Sequence, residues 1–341
     1  SYYTSLITEL LKLPVSIHPK FCKLQQISPV GNIADAAAHA ARLSRSIVRI
    51  FPFVRSHVDL YHPTYYTDPF ISLHKLPTIV TIHDMIHEKY SDFFDRGYSR
   101  SRLKAYISAK LKCMMHATAI IAVSQSTADD ILDTYPFIES SKIYVVPHGS
   151  YYLGSSTSQL FDTSSFLLNL TNQPYILYVG SRSNYKGFLI LLRALASIPS
   201  ISNLIKLVCI GSHFTLNEHT AIQSLGLKDT VISYPANNCE MPHLYSSALC
   251  FVYPSFCEGF GLPILEAMSL NCPIICSDIP PFREVGGSLP FYYKPYDYAH
   301  LSSLLSYVIA NSSSIKVAQQ YSSMLQAGLF TWRNTARLTY D

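Results

Sequence analysis

The sequence predicts an α/β protein with two doubly wound, largely parallel sheets that face a central cleft. Short runs of strand-forming residues alternate with helical patterns in both halves of the chain. A serine-rich segment with little periodicity, residues 150–173, separates the two series. The length of 341 residues also suits two domains of ordinary size better than one core.

The predicted domains are residues 1–160 and residues 161–330. A C-terminal helix, residues 331–341, is expected to pack back on the N-terminal domain. Because ligands of open α/β sheets bind at the carboxyl ends of the strands, we expect the functional residues in the loops that follow the strands. Strands are predicted at 58–62, 77–83, 118–123, 142–147, 175–179, 204–210, 231–234 and 248–253. Helices are predicted at 2–12, 34–49, 101–115, 187–198, 216–225, 240–247, from 263 onward and in the tail 302–341, and Ser126 to Asp129 resembles a capping box.

Composition limits the classes of protein that the chain can represent. With 48% hydrophobic and 14% charged residues, it has the balance of a globular protein rather than a disordered one. No apolar run approaches the roughly 20 residues of a membrane span. Eight cysteines occur without a CxxC pair, and Cys209, Cys250 and Cys276 lie in apolar runs, which favours reduced, buried thiols in a cytoplasmic protein.

The net charge of +4 falls entirely on residues 1–150. A basic helix near a cleft could meet anionic lipid or a pyrophosphate-linked acceptor, which would be a peripheral contact with the inner membrane face. A merely solvated face is the alternative, and it is the commoner meaning of such a charge run. The excess is concentrated in Arg96, Arg100, Arg102, Lys104, Lys110 and Lys112.

The stretch from Phe251 to Glu284 predicts a strand, a binding loop and the start of a helix. Gly259 and Gly261 remove side chains where a ligand could approach the backbone. Pro263 suits the first helical position, and Glu266 would then lie in the first helical turn. Glu258 is an acceptor suited to sugar hydroxyls. Surface solvation is the alternative for Glu258, and helix-end electrostatics alone is the alternative for Glu266.

A second loop follows the strand at 175–179. Arg182 and Lys186 are two cations in a segment that leads into a helix N-terminus, which favours a diphosphate site. Surface charge is the alternative for such a pair in isolation. In the first half, His83 and Asp84 end a strand, and the spacing of His83 and His87 is one that zinc uses on helices. The absence of a Glu of the HExxH kind and of a third ligand argues against a metal.

Several catalytic signatures are missing from the sequence. There is no GxGxxG for a dinucleotide, no GxxxxGK[ST] P-loop, no GxSxG elbow and no Asp-x-Asp clamp for a divalent ion. A diphosphate would therefore have to be neutralised by cations and helix dipoles.

The motif PSxxEGFGLPxLEAM, with Glu258 and Glu266 separated by seven residues, closely resembles the family 4 glycosyltransferases of the GT-B fold. The resemblance extends to Tyr178–Lys186, to Thr81–Asp84, to Ala119–Ser126 and to Phe330–Trp332. It thus spans nearly the whole chain and implies two Rossmann-like domains around a cleft.

This resemblance implies a retaining, metal-independent transfer of a hexose from a UDP- or GDP-hexose, with no cofactor, to a saccharide or lipid-linked saccharide acceptor in polysaccharide biosynthesis. Arg182 and Lys186 would hold the diphosphate, Glu258 the donor sugar and Glu266 the ribose. His83 would lie beside the donor sugar and help the transfer, and the base would lie near 233–237. The implied catalytic residues are His83, Arg182, Lys186 and Glu258. The implied donor-binding residues are Gly180, Ser181, Arg182, Lys186, Glu258, Gly259, Phe260, Gly261, Leu262 and Glu266.

The chain departs from the family pattern at its N-terminal side, where the usual first strand and glycine-rich loop have no match. Three alternatives remain open from the sequence. A non-catalytic subunit would bind a nucleotide sugar without turnover. A GT-B-like epimerase would convert the donor without an acceptor, and a phosphorylase would depend on pyridoxal phosphate. An NAD enzyme lacks its main signature.

Overall fold

A computed structural model describes residues 2–13, 59–63, 66, 76–94, 99–153, 173–198 and 205–341. These residues belong to two compact units. Unit 1 consists of Ser1–Pro147 with Thr335–Asp341, and unit 2 is His148–Asn334. The predicted domain boundary at 160/161 and the predicted helix at 34–49 lie outside the described residues.

Unit 1 contains a parallel sheet whose described strands are arranged in the order β1–β2–β3. Val80, Ile82, Ile120 and Ala122 are buried, which explains why these apolar runs become central strands. The predicted strand at 58–62 is reduced, in its described part, to one parallel bridge between Tyr61 and Thr78. The strands are β1 (Ile79–Ile82), β2 (Ala119–Ala122) and β3 (Ile143–Val145).

Helices connect these strands as the sequence predicts, with one correction at a helix start. Ser124 is the N-cap of the helix after β2, because its side chain accepts a hydrogen bond from the Thr127 backbone N–H. The predicted capping box at Ser126 to Asp129 is wrong, since Ser126 lies inside that helix. The described helices of this part are α1 (Tyr2–Leu10), α2 (Ile86–Lys89), α3 (Arg100–His116) and α4 (Gln125–Thr134).

The described part of unit 2 contains a parallel sheet of six strands in the order β6–β5–β4–β7–β8–β9. Along the chain, β5 and β6 are added in turn on one side of β4. The next strands, β7, β8 and β9, are then added on the other side of β4. The strand order therefore reverses between β4 and β7, which is the position where doubly wound sheets bind ligands. The strands are β4 (Tyr175–Val179), β5 (Lys206–Ile210), β6 (Val231–Tyr234), β7 (Cys250–Tyr253), β8 (Ile274–Ser277) and β9 (Phe291–Tyr293).

The helices of unit 2 bury apolar side chains against this sheet. Leu191, Leu195 and Val308 are fully buried in one cluster with strand residues such as Ile176 and Leu207. The tail, which is helical in pattern, consists of two helices, and residues Thr335–Asp341 at its end belong to unit 1. The helices are α5 (Phe188–Ala196), α6 (Leu216–Ser224), α7 (Met241–Ser247), α8 (Leu262–Ser269), α9 (Pro280–Gly286), α10 (Tyr298–Gly328) and α11 (Trp332–Tyr340).

Two sequence expectations about the whole chain can be compared with the described residues. Cys209, Cys250 and Cys276 are buried free thiols, as predicted, and Cys239 is a free thiol at the surface. In the part of the chain that the structure describes, no helix has the length and hydropathy required to cross a bilayer.

Candidate active site

The loops that follow β4 and β7 leave the sheet of unit 2 at adjacent positions. They start at Gly180 and Pro254, one on each side of the point where the strand order reverses. The first loop carries Arg182 and Lys186, and the second carries Glu258. The fold therefore brings three of the four predicted catalytic residues to one edge of one sheet.

Lys186 and Glu258 form an ion pair at this edge. Lys186 Nζ lies 2.6 Å from Glu258 Oε1, although the residues are 72 positions apart in the chain. The exposed fractions of the two side chains are 15% and 11%, so the pair is partly desolvated and still reachable by a ligand. Lys186 Nζ also donates to the Tyr253 hydroxyl at 3.3 Å, and that hydroxyl is hydrogen-bonded to Glu258.

The two loops are held against each other by backbone contacts. The Phe256 N–H donates to the Tyr185 carbonyl oxygen at 2.7 Å. Gly187 has a φ of +67°, and a Cβ on it would lie 2.0 Å from the Pro254 carbonyl oxygen. Only glycine fits both that conformation and that separation. The distance between Lys186 and Glu258 is therefore set by the backbone as well as by the charges.

Arg182 is more enclosed than Lys186. Its Nε donates to Glu218 Oε1 at 2.8 Å, and its Nη2 donates to the carbonyl oxygens of Ser212 and His213 at 2.7 and 2.9 Å. The side chain is only 2% exposed and packs against the ring of Phe214. Among the described residues, Nη1 has no hydrogen-bond partner. The guanidinium is thus fixed in place, with Nη1 as the donor it has left to offer.

Two helix N-termini follow the two loops. Helix α5 begins directly after Gly187, and helix α8 begins after Gly261, whose φ is +134°. Neither helix has a side chain that caps its first N–H groups. Pro263 is the second residue of α8, whereas the sequence predicted it at the first helical position. Both helices direct the positive end of their dipole toward the carboxyl edge of the sheet, which suits an anionic ligand.

Glu266 lies on α8 and is paired with a tyrosine. The Tyr245 hydroxyl donates to Glu266 Oε2 at 2.9 Å. Burial raises the pKa of Glu266 to about 7, and the hydrogen bond from Tyr245 opposes that rise. The prediction that Glu266 lies in the first helical turn is wrong, because it is the fifth residue of α8. The Glu266 carboxyl group therefore lies beyond the first turn of α8 and does not interact closely with the helix N-terminus. It can accept hydrogen bonds, and its protonation changes near pH 7.

His83 follows β1 in unit 1, as predicted, and is half-buried. Its backbone N–H donates to the Tyr66 hydroxyl at 3.2 Å. Burial lowers the pKa of His83; the nearby Asp84 carboxylate raises it and the Lys110 ammonium lowers it. The lowered pKa favours the uncharged form of the imidazole. His83 and the loop residues of unit 2 belong to different units.

The basic helix predicted from the sequence is only partly a surface feature. Arg100, Arg102, Lys104 and Lys112 are exposed on α3, whereas Lys110 is fully buried. Lys110 is held inside by Asp84 and Glu88, so its assignment to a solvated or lipid-binding face is wrong. Arg96 lies outside the described residues. In the described ranges, no group of His, Cys, Asp and Glu residues is arranged to hold a metal ion.

Sequence reasoning missed three residues that support the predicted ones. Tyr253 contacts both members of the Lys186–Glu258 pair, Tyr245 contacts Glu266, and Glu218 contacts Arg182. Tyr253 could have been found as the last strand residue before the binding loop. The Thr215–Glu218 spacing signals a capping box, which the structure contains, but it gives no indication of the contact with Arg182.

Two family models match the chain. The model "Glycosyltransferase Family 4" matches residues 26–150, and the model "Glycosyl transferases group 1" matches residues 162–323. The chain belongs to the family 4 glycosyltransferases. The family predicted from the motifs around Lys186 and Glu258 is therefore confirmed, together with the GT-B fold of two units with parallel sheets and the enzyme class.

Characterised proteins are similar to this glycosyltransferase. The O-antigen chain mannosyltransferase RfbU of Salmonella typhimurium is 31% identical over 230 residues, which are 66% of this chain and 60% of RfbU. The O-antigen chain mannosyltransferase B of Escherichia coli is 26% identical over 341 residues, which are 93% of this chain and 87% of that protein. The crystal structure of Anabaena HepE with UDP-glucose has a TM-score of 0.65 at 19% identity, covering 83% of this chain and 78% of that one.

Proposed function

We propose that this glycosyltransferase moves a hexose, with retention of configuration and without a metal ion, from a nucleotide diphosphate sugar to a saccharide or lipid-linked saccharide in the synthesis of a surface polysaccharide. Mannose is the proposed hexose, because both similar proteins are O-antigen chain mannosyltransferases. The similarity in fold to a protein that binds UDP-glucose supports a nucleotide-sugar donor. The proposal leaves the base open between uracil and guanine.

The observation that carries the proposal is the Lys186–Glu258 pair at the point where the strand order reverses. Lys186 could bind the diphosphate of a nucleotide sugar, and Glu258 could bind its hexose. A diphosphate oxygen can replace the carboxylate at Lys186, while hexose hydroxyls can replace the ammonium at Glu258. A nucleotide sugar exchanges both contacts at once, so neither charge is left desolvated without a partner.

The other predicted residues complete the donor site. Arg182 would add the positive charge of its guanidinium near the diphosphate, and the uncapped N-termini of α5 and α8 would add partial positive charge. The backbone of Gly180, Ser181 and 259–262 would line the donor. The ribose would bind Glu266, the base would lie beyond β6 near 233–237, and His83 would contact the donor sugar.

The proposed step is a same-face substitution at the anomeric carbon. The bond from that carbon to the diphosphate oxygen breaks, and a bond to the acceptor hydroxyl oxygen forms. The departing diphosphate oxygen takes the acceptor proton. Negative charge develops on the diphosphate, where Lys186, Arg182 and the helix N-termini would stabilise it in place of a metal ion.

We further propose a cytoplasmic location with peripheral contact at the membrane. Arg100, Lys104 and Lys112 are exposed on α3, and a lipid-linked acceptor would be presented at an anionic surface. Cosedimentation with anionic vesicles should weaken when these three residues are changed to Ser, and binding of the intact protein that is insensitive to these changes would contradict the contact.

The test of the proposed function is a transfer assay with GDP-mannose and UDP-hexoses, an acceptor panel and EDTA. We expect release of nucleotide diphosphate that survives EDTA, and nuclear magnetic resonance of the product should show the anomeric configuration of the donor. Lys186→Ala and Glu258→Ala should abolish release. Lys206→Ala is the matched control, because Lys206 begins β5 at the opposite edge of the same sheet.

Full transfer by folded Lys186→Ala and Glu258→Ala variants would contradict the site. Tight donor binding without turnover on any acceptor would favour a non-catalytic subunit. Conversion of the donor without an acceptor would favour an epimerase, and dependence on pyridoxal phosphate would favour a phosphorylase.

A further inference from the structure

Lys110 is a fully buried lysine in unit 1. Its side chain is 0% exposed, and its Nζ donates to Glu88 Oε2 at 2.9 Å and to the Asp84 backbone carbonyl oxygen at 2.9 Å. The Asp84 carboxylate lies 3.8 Å away, and the rings of Tyr66 and Tyr106 lie beside the ammonium. Burying an ammonium costs several kcal/mol unless it is paired. A helix of a domain with an ample apolar core does not need that group for packing alone.

The contacts of Lys110 act on the backbone of Asp84, the residue that follows His83. The Asp84 carbonyl oxygen accepts from Lys110, while the His83 N–H donates to the Tyr66 hydroxyl. Tyr66 in turn donates to the Thr81 carbonyl oxygen at 3.1 Å. The backbone N–H of His83 and the backbone carbonyl group of the next residue, Asp84, are therefore held by side chains from other segments, and the carbonyl group accepts its hydrogen bond from a charged donor.

Several charged or titratable groups face this part of unit 1. Asp84, Glu88 and His87 follow β1, Lys110 comes from α3, Tyr66 precedes β1, and His62 with Tyr3 lies on the remaining side. Burial lowers the pKa of His62 to about 4, so it adds no charge near neutral pH. Burial is the main cause of the lowered pKa of His83, and the Asp84 carboxylate outweighs the Lys110 ammonium there. Loss of Lys110 would leave the Asp84 charge unopposed at His83.

We propose that Lys110 is a positioning residue, whose buried ammonium fixes the backbone carbonyl group of Asp84, the residue after His83, and thereby holds the His83 imidazole in one orientation. This inference rests on the proposed function for what His83 does. An uncharged imidazole can accept a hydrogen bond from a sugar hydroxyl or donate one to it, whereas an imidazolium would compete with Lys186 and Arg182 for the negative diphosphate.

The first experiment observes His83 directly in the unliganded protein. The variants are Lys110→Met, Lys110→Arg and the double variant Lys110→Met with Glu88→Gln, which removes both buried charges so that folding is preserved. Nuclear magnetic resonance of labelled histidine, assigned with His83→Gln, follows the titration. Both Met variants should move the His83 midpoint to higher pH, and Lys110→Arg should return it toward the wild-type value.

The second experiment measures transfer as a function of pH. We expect kcat to fall on the order of 10-fold in the Met variants, through loss of orientation, with a smaller change in the donor KM. The acid limb of the profile should also move to higher pH, because more of His83 is protonated at each pH. Lys142→Met is the matched control, since Lys142 is a surface lysine of unit 1 in an ion pair with Glu139.

The two experiments fail in different ways. An unchanged His83 midpoint in the folded double variant would overturn the role of Lys110, whatever the protein transfers. Equal loss in all three Lys110 variants, with no change in the pH profile, would also overturn it. Absence of transfer in the wild-type protein would contradict the proposed function and leave the measurement on His83 valid.

Discussion

Two of the lysine–glutamate pairs in the described residues, Lys110–Glu88 in unit 1 and Lys186–Glu258 in unit 2, differ in access to water. Lys110 and Glu88 have exposed fractions of 0% and 2%, whereas Lys186 and Glu258 have 15% and 11%. The first pair is reinforced by a backbone carbonyl oxygen and two aromatic rings. The second also has two tyrosine rings beside its ammonium, and in addition a tyrosine hydroxyl and two uncapped helix N-termini nearby.

The difference indicates what each pair can do. A sealed pair cannot exchange partners without exposing a desolvated charge, so it can only hold the structure around it. A pair at a ligand-accessible edge can exchange one partner for a substrate group. A lysine–glutamate pair thus holds the surrounding structure in unit 1 and can bind a substrate in unit 2. Four changes test this contrast.

The largest effect is expected for Glu258→Gln. Kcat/KM should fall about 1,000-fold, or about 4 kcal/mol, because the amide no longer complements the donor hydroxyls and Lys186. The free energy of unfolding should change by less than about 1 kcal/mol, since the freed ammonium can be hydrated. Steady-state kinetics and urea denaturation measure the two quantities. A large loss of stability with modest loss of activity would reverse the contrast between the pairs.

The next effect is expected for Glu88→Gln. Breaking a buried pair leaves Lys110 without its carboxylate, and the free energy of unfolding should fall by about 3 kcal/mol. Urea denaturation measures it, with Glu139→Gln as the exposed control. A change within the error of that control would show that the Lys110 pair is not sealed in solution.

A smaller effect is expected for Gly187→Ala, which acts on the geometry between the loops and leaves the charges unchanged. The added Cβ meets the Pro254 carbonyl oxygen and strains a positive φ, which should cost about 2 kcal/mol of stability. The displaced Lys186 should weaken donor binding as well. Gly226→Ala is the control, because it shares a positive φ and has no atom within 4 Å of the new Cβ. Equal behaviour of the two variants would contradict the close approach of the loops.

The smallest effect is expected from the titration of Glu266. Its pKa is raised to about 7 by burial, so the carboxylate forms as pH rises from 6 to 8. Nucleotide diphosphate should then bind about 5-fold more tightly, since a carboxylate accepts ribose hydroxyls better than a neutral acid does. Calorimetry on Glu266→Gln should show a flat profile across this range. A slope that survives in the variant would assign the titration to another group.

The same pKa predicts a change in stability of opposite sign. The folded state holds the Glu266 proton to a higher pH than the unfolded state, whose carboxyl group has its ordinary pKa. Without ligand, stability should therefore fall as pH rises through the interval up to about 7, and Glu266→Gln should remove that part of the decline.

Local sequence patterns predicted the strands and loops, but they did not predict which side chains distant in the sequence form pairs. The run Tyr175–Val179 is bounded by Pro174 and Gly180, so its ends are visible in the sequence. The parallel order then places Arg182, Lys186 and Glu258 at one edge. The pairing of Lys186 with Glu258 across 72 residues, and of Arg182 with Glu218, depends on side-chain directions that no local period encodes.

Burial of a charged residue was equally hidden from the sequence. Lys110 lies among other basic residues of α3, and charge composition assigned all of them to the surface. Its true position depends on which face of the helix meets the sheet, and on Asp84 and Glu88 from a separate segment. Charge composition alone therefore does not predict whether a lysine in a run of basic residues is exposed or buried.

Residues Thr335–Asp341 belong to unit 1 although all of unit 2 precedes them in the chain. Within unit 1 the Thr335 hydroxyl donates to the Pro147 carbonyl oxygen at 2.7 Å. During synthesis on the ribosome, almost two hundred residues of unit 2 are therefore translated before residues Thr335–Asp341 of unit 1. Unit 1 can therefore make the contacts of this segment only after unit 2 has been translated.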